Sequence, residues 1–419
     1  MRASSRRVAK PASVANPDRV TSRVASGKLA PRDKGCTDSF EEQVLEEVVA
    51  ATYWFDPGKG GEPYTALIRF AGRRVGPTGK PHPKDRFDQV EVVENVVPGS
   101  GPVSVTTRVK GVNPGEWIVI AEPIVRAGQG RFVKTYSGPA RNGAGSSTKA
   151  PWSWRKPANA TGSPIPIKTA WQPLARLPGT LPGAWWGFVG PGVLLGLAMQ
   201  SFLLARGHLD VRAALLVSLA ACLAGFAGAK VWFLALNRSF RGLLTEGLCI
   251  QGFVAGALLA AAIALPLAKL PSGTFMDTIA PGLFLGMALG RPGCFLTGCC
   301  AGRPTASRWA IWSSDRRVGA GRIPTQLLES LLCLAIGAVA LVLVLYTSTT
   351  MAPGAVLVGA VAAYVLGRQF LLPLRVEPRK SSIGPRLSMS AAGLVLAAAA
   401  LSLAGACVSL GFHPMLLLC

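Results

Sequence analysis

Two arginines and three cysteines stand together in GRPGCFLTGCCAGRPT, residues 290–305, between two apolar runs. A guanidinium keeps its charge, and its planar fork matches a phosphate through two parallel hydrogen bonds. Arginine near a bilayer is costly unless it is paired, snorkels to the surface or meets an anionic ligand. Arg291 and Arg303 bracket the stretch, and Gly290 and Gly293 flank Arg291, where glycine permits close backbone approach. Two further cations lie late in other apolar runs: Lys230 in GAKVWFLALN and Arg368 in YVLGRQFLLPLR. Arginines from different helices converging at headgroup depth would make a phosphate site. They would also stabilise charge developing on a phosphate leaving group. Snorkelling is the plain alternative for each, and it is weakest at Arg291 because of the glycines.

The next segment, RIPTQLLESLL, carries Gln326 and Glu329 three residues apart, on one face of a helix that Pro324 and Thr325 can start. They either belong to the helix start or complete a polar pocket beside Arg291. The spacing C-x4-C-C is poor for zinc, and His82, His208 and His413 lie in other loops, so no metal and no cofactor are expected. Most of the nine cysteines lie in apolar runs as small hydrophobes, which is unlike a secreted disulfide framework.

The elements that must position these residues follow from composition. The chain has 419 residues, 50% hydrophobic and 16% charged, which is too apolar for an ordinary soluble enzyme. Residues 1–180 hold 27 Lys+Arg against 15 Asp+Glu, net +12, and residues 181–419 hold 17 against 6, net +11. The first part is polar and the second is a series of apolar runs, so a soluble region precedes a membrane region. The basic residues of the second part flank those runs, where anionic lipid headgroups lie. No basic stripe interleaved with aromatics favours nucleic acid.

Residues 1–38 read as a disordered basic tail, and the N-terminus lacks the apolar core of a cleavable signal peptide. SFEEQVLEEVVAATYW, residues 39–54, reads as a short amphipathic helix on the spacing of Val44, Leu45, Val48 and Val49. YTALIRFAGRRV, DQVEVVENVV, PVSVTTRVKGV, EWIVIAEPIV and RFVKTY read as strands separated by turns. Residues 39–137 are therefore expected to form a small all-β, immunoglobulin-like sandwich, with a protein or a glycan as its ligand. A Pro/Gly/Ser-rich linker is expected over 138–182. Seven apolar runs near 186–205, 211–236, 248–270, 274–290, 324–346, 352–374 and 387–411 then predict an all-α polytopic bundle over 183–412, followed by a tail at 413–419.

With these residues assembled, the membrane part resembles the bacterial prolipoprotein diacylglyceryl transferase family, over roughly residues 186–411. The family signature resembles G-R-x-G-N-F-x-N-G-E-x-x-G-R, and this chain reads GRPGCFLTGCCAGR. The H-P-S-Q-L-Y-E that follows it in the family appears as IPTQLLE, and GAKVWFLALN, GLCIQGFVAGALLA and LGRQFLLPLR resemble three of its helix motifs. The resemblance implies a multi-pass protein of the bacterial inner membrane. It implies that diacylglyceryl passes from phosphatidylglycerol to the cysteine thiol of a lipoprotein precursor, presented with its signal peptide in the bilayer. Arg291 and Arg368 match positions that bind and polarise the phosphate. Family histidines fall at Gln251 and Ile323, the signature asparagines at Cys294 and Thr297, the acidic residue at Cys299, and the tyrosine of Q-L-Y-E at Leu328. That leaves Glu329 as the matching carboxylate and the candidate base. The expected site is thus Arg291, Arg368 and Glu329 as catalytic groups, with Arg303, Gln251, Gln326, Gly290, Gly293, Thr297 and Cys299 binding substrate.

A non-catalytic scaffold, in which the bundle holds lipid and the β-domain holds a partner, is the competing reading. A transporter is disfavoured because the runs lack paired acids. Orientation is contested by charge. The signature side carries Arg238, Arg241, the arginines of 303–322 and those of 375–386, against Arg206, Arg212 and Lys269 opposite. A charge count would turn that side to the cytoplasm, whereas the resemblance turns it outward, and the outward reading is the expectation kept.

Overall fold

The computed structural model describes residues 47–76, 82–124, 164–171, 175, 177–237, 249–347, 352–376 and 383–409. The expected basic tail, the RFVKTY strand and the C-terminal tail lie outside the described residues.

Two sheets face each other across one core. Strands β1 (Glu47–Phe55), β4 (Val103–Val109), β7 (Ala170–Trp171), β8 (Ile311–Ser314) and β9 (Val318–Arg322) form a sheet in the order β7-β1-β4-β9-β8. Strands β2 (Tyr64–Arg74), β3 (Arg86–Val96), β5 (Glu116–Ile124) and β6 (Ile165–Lys168) form the other, in the order β3-β2-β5-β6. Alternate residues from both sheets, among them Val49, Tyr53, Phe70, Val105, Trp117, Val119 and Ile167, share a single apolar cluster, as a half-buried strand's period of two requires.

The stretch 39–54 is not a helix where it is described: residues from Glu47 onward are β1. Val49, Ala51 and Tyr53 point into the core, while Val48 and Ala50 pack on Ala175 and Leu177. Both faces are covered over Val48–Ala51, so the strand is apolar there without alternation, and a short continuous apolar run carries no reliable period. Two strands, β6 and β7, lie inside the stretch expected to be linker. Most unlike the sequence reading, β8 and β9 come from the membrane part, between the signature and the next helix. β9 pairs with β4 at Ser104↔Gly319 and Val105↔Val318.

The rest is helical: α1 (Ala184–Arg206), α2 (Val211–Asn237), α3 (Ile250–Leu267), α4 (Ser272–Thr297), α5 (Thr325–Thr347), α6 (Ala355–Leu371) and α7 (Ile383–Ser409). Five of them, α1, α2, α4, α5 and α6, are long and apolar enough to cross a membrane, and described parts of α3 and α7 form shorter apolar helices. Their outward faces are apolar, with Leu194, Leu216, Leu259, Val339 and Leu394 all exposed. A soluble fold hides such residues, whereas a bilayer solvates them. This is a multi-pass membrane protein with a β-rich N-terminal part.

Helices α1 and α4 run antiparallel in close contact. A Cβ at Gly192 or Gly286 would lie 2.6 Å or 2.5 Å from the other's carbonyl oxygen, and Gly282 and Gly196 repeat the contact one turn away. Small residues four apart let backbones touch in lipid, where packing replaces the hydrophobic effect. At the far end, the Asp277 carboxylate of α4 accepts from the Gly354, Val356 and Leu357 amides and so caps α6.

Candidate active site

Three helix ends meet at the end of the bundle that faces the sheets. Helix α4 runs on through Arg291 and Pro292 and stops at Gly298. Gly298 has φ 73°, and a Cβ there would lie 2.7 Å from the Ser314 carbonyl oxygen, so the left-handed stop needs glycine for two reasons. The Cys299 amide donates back to the Cys294 carbonyl, closing the turn. Helix α5 begins just beyond the β8–β9 hairpin, and Thr325 and Gln326 donate to the carbonyls of Cys300 and Cys299 at 3.1 Å and 2.8 Å. Residues 374–376, after α6, lie beside the signature: the Arg303 amide donates to the Leu374 carbonyl and the Val376 amide to the Ala301 carbonyl.

Within this junction Glu329 is fully buried and surrounded by cations. Its Oε1 accepts from Arg291 Nη2 at 2.5 Å, Arg368 Nη1 at 2.9 Å and the Tyr364 hydroxyl at 2.6 Å. Its Oε2 accepts from Arg375 Nη2. Tyr364 Oη in turn accepts from Arg291 at 3.1 Å and Arg368 at 2.7 Å. Three guanidiniums against one carboxylate leave two positive charges uncompensated. Glu329 is the fifth residue of α5 and Arg368 the fourth from the end of α6. At 1.5 Å per residue this puts the cluster about 6 Å inside the helix ends. Arg375 is 3% exposed, whereas the Arg291 and Arg368 side chains are 15% and 35% exposed. The outer two are the ones an incoming anion can meet. In this geometry Glu329 ties the three arginines together.

The structure thus brings Arg291, Arg368 and Glu329 together and leaves the other expected residues around or away from them. Gln326 is buried on the signature turn. Arg303 is exposed, with Nε donating to the Arg375 carbonyl at 3.1 Å. Thr297 Oγ1 donates to the Gly293 carbonyl at 2.8 Å, and buried Cys299 points Sγ at the Cys294 carbonyl at 3.6 Å. Gly293 faces α1, where a Cβ would meet Phe188 at 3.0 Å, and Gly290 only grazes Val189 at 3.5 Å. Close helix packing therefore needs glycine at Gly293 but not at Gly290. Gln251 is exposed on α3, its Oε1 accepting from the Cys249 thiol at 2.7 Å, and α3 packs mainly on α2.

Two members of the cluster were not singled out from sequence. Tyr364 lies four residues before Arg368, hence on the same helix face, which is a signal the sequence did carry. Arg375 reaches Glu329 only because the chain turns back after α6, and no spacing rule announces that.

A helical membrane protein with a net-positive arginine cluster about one turn inside its helix ends is the class that fold and site define. A family model described as prolipoprotein diacylglyceryl transferase matches residues 173–411, and the chain belongs to that family. Among curated relatives, one from Nostoc sp., named phosphatidylglycerol–prolipoprotein diacylglyceryl transferase, is 26% identical over 212 residues, covering 46% of this chain and 75% of its own length. One from Clostridium perfringens, with the same name numbered 2, is 34% identical over 139 residues, 31% of this chain and 53% of its own. A third from Streptomyces griseus is 33% identical over 143 residues, covering 34% and 43%.

Proposed function

We propose that the protein transfers diacylglyceryl from phosphatidylglycerol to the cysteine thiol of a lipoprotein precursor, in the bacterial inner membrane. The observation that carries this is the three-arginine, one-carboxylate cluster centred on Arg291 of the signature. Its excess charge suits a phosphodiester, and its depth suits a lipid headgroup. Arg291 and Arg368 bind the phosphate through their free N–H groups. The acceptor sulfur attacks the glyceryl carbon that bears the phosphate ester and displaces that oxygen. The thioether forms, the C–O bond breaks, and glycerol phosphate leaves with one more negative charge, which the guanidiniums stabilise. The thiol, with an ordinary pKa of roughly 8.5, gives its proton to solvent or to the departing phosphate, so the enzyme's own cysteines need no part in bond making.

All seven helices span the bilayer in this reading. The four-residue separation of the Gly192/Gly196 and Gly282/Gly286 contacts supports the membrane packing. The sandwich is immunoglobulin-like: β1 pairs with β4 and the second sheet runs β3-β2-β5-β6. These pairings match the B–E pair and the C′-C-F-G sheet of that fold. In this correspondence β9 takes the D position beside β4. The arginine-rich signature loop does not argue for a cytoplasmic side, because Arg316, Arg317 and Arg322 are tied to protein acceptors. An outward-facing site is the reading we adopt.

The test is transfer of labelled diacylglyceryl from phosphatidylglycerol to a lipobox peptide by purified protein. The parent protein labels the cysteine, and Arg291→Ala, still folded, loses at least 100-fold in rate, the scale of one transition-state donor. An active Arg291→Ala protein would sink the assignment.

A further inference from the structure

The β8–β9 hairpin belongs to two units at once. Toward the sheets, β9 is an interior strand held by β4. Trp312 stacks on Trp54 of β1 with centroids 5.4 Å apart, and its Nε1 donates to the Pro102 carbonyl at 2.7 Å. Arg317 pairs with buried Glu91 at 3.6 Å and donates to the Val92 carbonyl. Toward the site, the same hairpin grips the signature turn. Arg316 Nε donates to the Thr297 carbonyl at 2.8 Å, at the last residue of α4. Arg322, 1% exposed, donates Nη1 to the Gly302 carbonyl at 3.0 Å and Nη2 to Asp315 at 2.8 Å. Arg316 stands where the two directions meet. Its backbone has φ 76°, its side chain pins the end of α4, and its carbonyl accepts from Arg108 of β4 at 3.4 Å.

We infer that the N-terminal sandwich is a working part of the transferase site, and that Arg316 is the positioning residue through which it holds the turn at residues 297–303. The inference rests on the proposed function, since the turn is the end of the signature. Helix C-termini leave carbonyls without intrahelical partners, and a cation there is favoured by the helix dipole. Here the cation is delivered by a hairpin whose one neighbouring strand among the described residues is β4. Without the sandwich, β9 becomes an open edge and the Trp312 ring loses its stacking partner. Arg316 then has no fixed backbone from which to reach Thr297. The turn is left to fluctuate, and with it the segment 301–303 that lies beside Arg375. A membrane core common to the family is in this chain completed by a part that the family match does not cover, since the match starts at residue 173.

The turn carries its own reporters. Cys299 is buried, Cys300 is half-buried, and Cys333 is fully buried on α5 as a control for the bundle. Full-length protein in phosphatidylglycerol/phosphatidylcholine vesicles is alkylated with a maleimide, and each thiol is followed by mass spectrometry. Arg316→Ala is expected to speed Cys299 labelling at least tenfold with Cys333 still protected. It is expected to lower kcat about tenfold with less than a twofold change in KM for phosphatidylglycerol. Arg316→Lys, which keeps a charged donor, recovers part of both. Trp54→Ala, on the sandwich and remote from the cluster, moves Cys299 labelling in the same direction, whereas Arg69→Ala on the outer sheet face does not. Parental Cys299 protection in Arg316→Ala overturns the positioning role. Parental protection in Trp54→Ala, or faster labelling of Cys333 along with Cys299, overturns the role of the sandwich. A parent protein that transfers nothing refutes the proposed function instead, and the labelling comparison still decides this inference.

Discussion

Replacing Glu329 with glutamine separates two roles for the one buried carboxylate in the cluster. The side chain is 0% exposed and meets three guanidiniums. An opposite pair about 4 Å apart at an effective dielectric near 20 is worth about 4 kcal/mol, and most of that offsets desolvation. Removing one partner of a buried ion pair nevertheless costs about 3–5 kcal/mol, because the remaining charge stays buried without compensation. Glu329→Gln keeps the shape but turns a net charge of two into three and points an amide donor at an arginine. If Glu329 holds the arginines, the variant unfolds on the order of 10 °C lower in neutral detergent. Anionic phospholipid, which supplies the missing counter-charge, restores part of that loss while phosphatidylcholine does not. The assay is a thermal unfolding curve in each lipid, paired with the transfer rate. A variant within 2 °C of the parent that has lost only transfer would refute the reasoning, since that is the behaviour of a proton acceptor.

Two further outcomes follow from other parts of the molecule. Asp277→Ala leaves three amides at the start of α6 without their acceptor. The expected loss is about 2–4 kcal/mol, with Asp277→Asn recovering part of it; denaturant unfolding of the two variants reads the difference, and equal stability of alanine and parent would count against the cap. In the sandwich, the Asn113 amide and further donors hold the Asp85 carboxyl below the usual carboxylate range, and Arg69 does the same for Asp88. A carboxylate with a depressed folded pKa stabilises fully above its unfolded pKa, about 3.9, and loses that contribution as pH falls through the folded value. Tryptophan fluorescence of the sandwich is therefore steady from pH 7 to 5 and shows unfolding below pH 4, and Asp85→Asn flattens that acid limb.

Much of the membrane part was legible along the chain because its signals are local. Each apolar run is long enough to be a helix on its own account. Arg291 and Arg368 stood out because a charge in an apolar run is expensive wherever it ends up. Glu329 stood out because it shares a face with Gln326 one turn into α5. Gln326 was placed on the right helix, but that its amide holds the Cys299 carbonyl was not legible from the sequence. Glu47–Phe55 was misread because a strand covered on both faces loses the alternation that identifies it.

Sequence alone determined that the chain has a polar β-rich part and an apolar helical part, and that arginines in apolar runs near a Gly-rich signature call for an anionic partner. Periodicity and the cost of burying charge act over a few residues, so they can be read without a fold. Only the tertiary structure decided that Arg375 and Tyr364 join the cluster and that Glu329 is fully engaged by cations. It also decided that β8 and β9, from the helical part, complete the N-terminal sheet. Those facts depend on segments more than 30 residues apart meeting at one end of the bundle: Glu329 with Tyr364 and Arg375, and Ser104 with Gly319. Pairing of distant segments is selected by the packing of the whole chain, and no local pattern records it.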